Sequence, residues 1–368
     1  MKYLIYFYFL LLFFGCTSSE KSNEIQFLEL KDLVVDTLYL EKDTLTKNLG
    51  INFTHFQTDS GEVLLTFNQY RLLTYSFPEG KLLNSVKFEK EGPDGIGEFI
   101  PGYFIDRDKI YFLSQDQKVL ECDWKGTVLR RIPLPETPSE RLGSNYTALP
   151  FNPLFKSEKG LFIADVPFVL FDDHLRYENW ILDFSLADSS FNHISFRYPT
   201  SARQFLQDPE LGQYFHMFDT IEKSHWISFA ISDTVLKIKE NQINMFPLAP
   251  FEQLEFLRGT TSQRGEWTAF NPNFESSKYT AIQKDYQTGL IFRHIRINDG
   301  NLEQNIKSKH AFVVMDSRGE KLAEIRFSDL EFSPYSFQTP DGLYFPLGTL
   351  FIEDNIPFVK IDFSKINP

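Results

Sequence analysis

Apolar residues along this 368-residue chain recur in short runs, alternating or continuous, divided by Gly, Pro, Asn and Asp. Helical spacing is scarce, so the pattern predicts many short strands. The runs repeat as cycles. The first passes from Asp59-Ser60-Gly61-Glu62 into Val63–Phe67, Arg71–Ser76, the turn Pro78-Glu79-Gly80 and Lys81–Phe88. The second takes Lys109–Leu113, Lys118–Asp123, Lys125-Gly126 and Thr127–Leu134, and four further cycles follow. With Leu64, Tyr111, Phe162, Ile291 and Tyr344 as equivalents, neighbours lie 47, 51, 129 and 53 residues apart, and the long gap holds one extra cycle. Such a period, with three or four strands per unit, is the mark of a β-propeller. The expected fold is therefore all-β, a single six-bladed β-propeller over residues 25–368. Short helical rim insertions are expected at Ser201–Phe205 and Phe251–Leu257, where apolar residues fall three and four apart. The strand Leu33–Leu40 lies outside the six cycles and is expected to close the ring against Pro357–Phe363, removing the free sheet edges.

The N-terminus has a different pattern. One Lys, an unbroken apolar run from Tyr3 to Phe14, then Gly15-Cys16 and a polar stretch have the layout of a cleaved export signal. The run is shorter than the roughly 20 apolar residues a membrane-spanning helix needs. A small residue directly before Cys resembles the lipobox of bacterial lipoproteins, with a looser match at Phe13 and Phe14. That resemblance implies cleavage before Cys16, acylation of its thiol and new amine, and a lipid anchor in the cell envelope, in the outer membrane. The segments are then a signal at 1–15, a tether at 16–24 and the propeller. An ordinary secretory signal with a chance cysteine is the other reading of the same residues.

Composition agrees with strands: 39 Phe and 16 Tyr suit a pleated, half-buried surface. The net charge of −13 repels phosphate backbones, and neither Arg130-Arg131 nor Arg293/His294/Arg296 makes a basic stripe, so nucleic acid is set aside as a partner. With Cys16 as anchor, Cys122 is the one remaining thiol, and its alternation with Leu120 and Trp124 reads as a small buried hydrophobe.

Catalytic signatures are sparse. The chain has no HExxH, CxxC, GxSxG, GxGxxG or GxxxxGK[ST], and His216 and His225 lack zinc-ligand spacing, so no metal or cofactor is expected. Asp172-Asp173-His174 could form a carboxylate–imidazole pair, or simply an exposed turn. The loop Phe88–Phe99 carries Gly92, Gly95 and Gly97, which call for positive φ or close backbone approach. It is either a ligand loop using Asp94 and Glu98 or a blade-to-blade turn with Phe99 plugged into the next blade. The polar stretch Arg258–Trp267 is expected to be a flexible interaction loop; either Trp267 with Arg264 and Glu266 stacks on and hydrogen-bonds a sugar or peptide, or Trp267 anchors the loop onto blade 5. Arg293 lies on a strand of which one face either lines the channel or meets an acidic partner, or else makes an edge-strand salt bridge.

The Cys16 motif, the degenerate propeller and the elements Gly92-Pro93 and Gly97-Glu98-Phe99 together resemble the six-bladed propeller lipoproteins of Bacteroidetes, in which three fewer residues separate these elements. No agreed activity comes with that resemblance. Asp36-Thr37-Leu38, Asp43-Thr44-Leu45, Asp219-Thr220-Ile221 and Asp233-Thr234-Val235 are similar to the O-glycosylation signal of exported proteins of that phylum, and equally to turn-to-strand punctuation.

The expected function is a membrane-anchored binding or scaffolding module for a glycan, peptide or partner protein. The competing class is a glycan-acting hydrolase or lyase at the channel mouth. Converging carboxylates or histidines there would favour the enzyme, and Tyr, Trp and amides would favour binding. Replacing Cys16 with Ala should move the protein from the membrane pellet to the soluble fraction. Unchanged pelleting would remove the anchor reading.

Overall fold

The computed structural model describes residues 25–46, 49, 52–136, 146–166, 180–205, 208–265, 267–298, 309–328, 335–347 and 354–366. Two strands come first, β1 (Gln26–Glu29) and β2 (Val34–Glu41). Blade 1 is β3 (Thr54–Thr58), β4 (Gly61–Asn68), β5 (Arg71–Phe77) and β6 (Leu82–Lys87). Blade 2 is β7 (Gly102–Ile105), β8 (Lys109–Leu113), β9 (Lys118–Asp123) and β10 (Val128–Pro133). In blade 3, β11 (Tyr146–Thr147) and β12 (Phe155–Lys156) both pair with β13 (Gly160–Asp165), followed by β14 (Ile181–Ser185) and β15 (Phe191–Ile194). Blade 4 is β16 (Tyr214–Asp219), β17 (Ser224–Phe229), β18 (Thr234–Lys239) and β19 (Gln242–Pro247). A separate hairpin of β20 (Thr260–Arg264) and β21 (Trp267–Asn271) precedes blade 5. Blade 5 is β22 (Lys278–Lys284), β23 (Ile291–Asn298), β24 (Lys309–Met315) and β25 (Lys321–Phe327). Blade 6 is β26 (Phe337–Thr339), β27 (Gly342–Pro346) and β28 (Asn355–Ile361).

The N-terminus completes the ring. β2 joins blade 6 antiparallel to β28, with Leu38 opposite Phe358 and Leu40 opposite Ile356. Blade 1 also grips this strand: Glu41 N–H donates to the Gly80 carbonyl at 2.9 Å. Gly80 has φ +73°, and a Cβ there would lie 2.0 Å from the Tyr39 carbonyl oxygen, so only glycine permits this approach. β1 adds a further contact that the repeat pattern did not predict. It lies parallel to β25 with Leu28 opposite Ile325, so the N-terminal segment joins two blades.

Aromatic and aliphatic side chains fill the wedges between blades. Phe67 of blade 1 lies 4.6 Å from Phe112 of blade 2 and 5.5 Å from Phe88, ring centroid to centroid. Cys122 is fully buried in the same wedge, and burial pushes its thiol up to about 12, as befits a packed hydrophobe rather than a nucleophile. Equivalent clusters fill the wedge between blades 2 and 3, the space across blades 3, 4 and 5, and the wedges between 5 and 6 and between 6 and 1.

Two differences from the expected pattern have physical causes. Ser201–Phe205 falls within a 3-10 turn, Thr200–Phe205, but Phe251–Leu257 is not helical. Its backbone is satisfied from outside: Phe251 N–H donates to Glu324 at 2.7 Å, Leu257 N–H to the Ser276 hydroxyl at 2.9 Å, and the Glu255 carbonyl accepts from Ser277 N–H at 2.7 Å. A segment bonded along its length to a sheet has no need of i→i+4 bonds. The polar stretch expected to be a flexible loop is instead the β20–β21 hairpin.

Ring closure concentrates stability in the inward face of β2. Leu40→Ala should cost about 2–5 kcal/mol, the range for a buried leucine, while Tyr39→Thr on the exposed face should stay within about 0.5 kcal/mol. Urea midpoints of the two variants test this; equal effects would show that β2 does not carry the closure.

Candidate ligand-binding site at the central channel

All six blades contribute their innermost strand or the residues next to it to one cavity of about 260 Å³. Thr54, Tyr103, Phe155, His216, Gln283 and Gln338 come from β3, β7, β12, β16, β22 and β26 in turn, with Asn52, Lys284, Tyr286 and Ser336 beside them. A six-fold meeting of strands defines the channel, whose lining is mostly apolar with a minority of amides, hydroxyls, His216 and one ion-paired lysine. Among the described lining residues there is no Asp or Glu.

The two ionisable groups in the wall are neutralised from behind. Lys284 of blade 5 meets Asp219 of blade 4 at 2.5 Å, and both side chains are buried. The other Asp219 oxygen accepts from Ile221 N–H at 3.0 Å and Glu222 N–H at 3.1 Å, so the carboxylate is shared between a turn and the ammonium. His216 Nε2 lies 2.9 Å from His225 Nδ1, and Phe155 packs edge-on to the His216 ring at 5.2 Å. Burial holds His216 well below its ordinary value and lowers His225 to about 4, so the pair is uncharged at neutral pH. Tyr103 is also committed: its hydroxyl donates to the Asn52 carbonyl at 2.9 Å and accepts from Phe67 N–H at 3.2 Å. The Ser336 hydroxyl donates to the Gln283 side-chain oxygen. The Gln338 amide donates to the Thr339 carbonyl at 2.6 Å and accepts from Tyr286 N–H at 3.5 Å, so a ligand meets mainly apolar and aromatic surface, with a few amides and hydroxyls that would exchange these internal bonds for bonds to it.

The residues singled out from sequence do not gather at this channel. Arg293 is fully buried in the second strand of blade 5 and faces no ligand space. Its guanidinium donates to the Ser228 hydroxyl at 2.8 Å and to the carbonyls of Phe229, Ser232 and Leu248 at 2.9, 2.6 and 3.2 Å. It also stacks 3.2 Å above the Tyr279 ring. The expected edge-strand salt bridge is thus a rivet between blades 4 and 5, made mostly to carbonyls. Its neighbours differ: His294 Nε2 approaches His310 Nδ1 at 3.0 Å, and Arg296 reaches Glu210 at 3.1 Å.

Asp94 is structural, accepting from Val128 N–H at 2.9 Å. Arg131 clasps the same loop by donating to the carbonyls of Pro93 and Gly95 at 2.8 and 2.9 Å. Gly92 and Gly97 have φ of +87° and +96°, as the glycine spacing predicts. The residue plugged into the wedge is Ile96, whereas Phe99 and Glu98 are exposed. Arg264 and Trp267 stand opposite one another at the end of the β20–β21 hairpin, whose base is held by Gly259 N–H donating to Asp208 at 2.9 Å. Cys16, Glu266 and Asp172-Asp173-His174 lie outside the described residues. The Asp-Thr sites serve as turn and strand-entry acceptors: Asp36 takes Thr37 N–H at 2.7 Å, Asp43 takes Leu45 N–H at 3.1 Å and binds Arg71 at 2.6 Å. Among the described residues no three His, Cys, Asp or Glu side chains converge as metal ligands.

The sequence matches the family model described as Domain of unknown function (DUF4221) over residues 24–326. The chain belongs to the DUF4221 family. A crystal structure of a DUF4221 member from Bacteroides vulgatus is similar at 15% identity, covering 89% of this chain and 97% of that one, with a TM-score of 0.67. A Bacteroides fragilis protein described as exported is similar at 13% identity, covering 92% and 99%, with a TM-score of 0.51. At such identities the likeness is one of fold, the six-bladed propeller. No curated protein matches the sequence. In this DUF4221 chain the family match ends at Arg326, before blade 6, and β2 supplies that blade's fourth strand from inside the match.

Channel-wall chemistry fixes an acid response. His216, His225 and His294 are held neutral by burial, so the unfolded chain binds more protons once pH falls below about 6.5. Stability is therefore full above that pH and falls as pH drops toward about 4, where His225 is protonated in both states. The slope is up to about 1.4 kcal/mol per pH unit for each ring. Urea midpoints from pH 7.5 down to pH 5, above the range where carboxylates titrate, should decline steadily. A flat profile would mean that these rings are not buried neutral.

Proposed function

We propose that this DUF4221 protein is an envelope-facing lipoprotein, acylated at Cys16, whose propeller binds a neutral polar ligand, a glycan or peptide group, at the channel mouth without transforming it. The observation that carries this reading is the charge pattern of the cavity. The described wall presents no unpaired charge: Lys284 is ion-paired with buried Asp219, burial keeps His216 neutral, and apolar side chains with a few amides and hydroxyls supply the remaining surface. Such a lining orients a ligand through hydrogen bonds and apolar contact. A glycosidase needs two carboxyl groups flanking the bond it cleaves, and the described lining residues offer none. The cavity volume is close to the lower end for small-molecule sites, which suits a single sugar unit or the tip of a peptide better than a long chain. Export is supported by the signal-like apolar run before Cys16 and by the description of the Bacteroides fragilis relative as exported.

The test is a screen of the purified protein against neutral and charged oligosaccharides and short peptides. Hits should fall in the uncharged polar class. The pair Gln283→Ala and Gln338→Ala should weaken them by about tenfold or more, corresponding to about 1.4 kcal/mol. Binding indifferent to both substitutions would move the site elsewhere, and turnover of a glycan would replace this reading with the enzymatic one.

A further inference from the structure

Blade 5 carries an apolar corner that the fold fixes in place and that the described residues leave exposed. Phe27 on β1 is 56% exposed and Phe251, just beyond blade 4, is 78% exposed. The two rings meet edge to face at 5.8 Å. Neither belongs to a loose loop. Along β1, Leu28 points into the core beside Ile325 and turns Phe27 outward. Three polar contacts hold the segment bearing Phe251 against blade 5. Phe251 N–H donates to the buried Glu324 at 2.7 Å, Lys321 donates to the Ala249 carbonyl at 3.0 Å, and Arg326 pairs with Glu252 at 3.5 Å. On β19, the outermost strand of the adjoining blade, Met245 is 71% exposed. Exposed aromatics held on a rigid frame mark an interaction site more strongly than scattered apolar residues do.

Chain connectivity says what lies nearby. Phe27 is eleven residues after Cys16, and the tether between Cys16 and the first described residue, Ile25, spans at most about 30 Å fully extended. A bilayer holding the acyl chains would therefore lie within about 30 Å of Ile25, at the start of β1. We propose that the Phe27–Phe251 corner of blade 5 docks on the surface of the membrane to which the N-terminus is anchored, holding the propeller edge-on. This rests on the acylation of Cys16 proposed above. Aromatic rings suit the headgroup boundary, and a second weak contact adds to the hold of the acyl chains. Edge-on docking leaves the channel mouth open to the side, away from the lipid.

The experiment uses the full acylated chain in vesicles of equal parts phosphatidylethanolamine and phosphatidylglycerol. An environment-sensitive nitrobenzoxadiazole label is placed at Phe251→Cys or, on blade 2 across the ring, at Leu129→Cys. Cys122 is buried and does not compete for the label. Spin-labelled lipid should quench the label at position 251 by about twofold or more and leave the one at position 129 unchanged, the contrast expected of a ring seated at the interface. Introducing Phe27→Ser should reduce that quenching. Equal quenching at the two sites, or none at 251, would overturn the proposal. So would shielding of the 251 label in detergent with the mass of a dimer, which would assign the corner to a second copy. The mass of the Cys16 peptide is read separately: an unacylated peptide defeats the anchor reading and the docking with it, whereas an acylated peptide without quenching defeats the docking alone.

Discussion

The pairing of β2 with β28 is the constraint on which the rest of the molecule depends. A blade on its own is a small twisted sheet with two open edges and two apolar faces. Only a closed ring covers the faces with neighbouring blades and leaves short edges at the rim. Here the last blade has three strands from the C-terminal part of the chain and takes its fourth from the N-terminus. Residues more than 300 positions apart must therefore meet before the wedge between blades 6 and 1 is complete. Gly80, which lets the turn of blade 1 touch the Tyr39 carbonyl, ties the closing strand to both sides of the seam.

Closure also sets the electrostatics of the channel. Bringing six inner strands together buries whatever ionisable groups they carry, and an isolated buried charge is costly. The wall resolves this in pairs across neighbouring strands, with Asp219 facing Lys284 between blades 4 and 5 and His216 facing His225 within blade 4. Arg293 follows the same logic away from the channel, where carbonyls and the face of Tyr279 take the place of a carboxylate. A described lining without an unpaired charge is thus a result of how the ring assembles as much as of which residues line it.

The strands least visible in the sequence are the ones that build the site. The cycles of blades 1, 2 and 4 show their outer three strands clearly, because those strands alternate or carry strong apolar runs. Thr54–Thr58 and Gly102–Ile105 are short and mixed in character, and Tyr214–Asp219 is buried throughout, so period-two alternation has nothing to mark. Phe251–Leu257 shows the converse error. Its spacing imitates a helix, but hydrogen bonds from blade 5 claim its backbone. Residues chosen for their chemistry, Arg293 and Asp94, proved to be structural because charge and hydrogen-bonding capacity serve burial and binding alike. A single sequence does not record which of the two a position faces.

By itself the sequence determined the fold class, the number of blades and the strand that closes them, since all three follow from local alternation and its repeat. It also determined that Cys122 is packed rather than reactive, from its place in an alternating strand. The tertiary structure alone decided which side chains share the channel, that its lysine is ion-paired and its histidine kept neutral by burial, and that Phe27 and Phe251 meet on an exposed corner. Those facts depend on contacts between residues tens to hundreds of positions apart, whose geometry is fixed by ring closure and not by any local pattern.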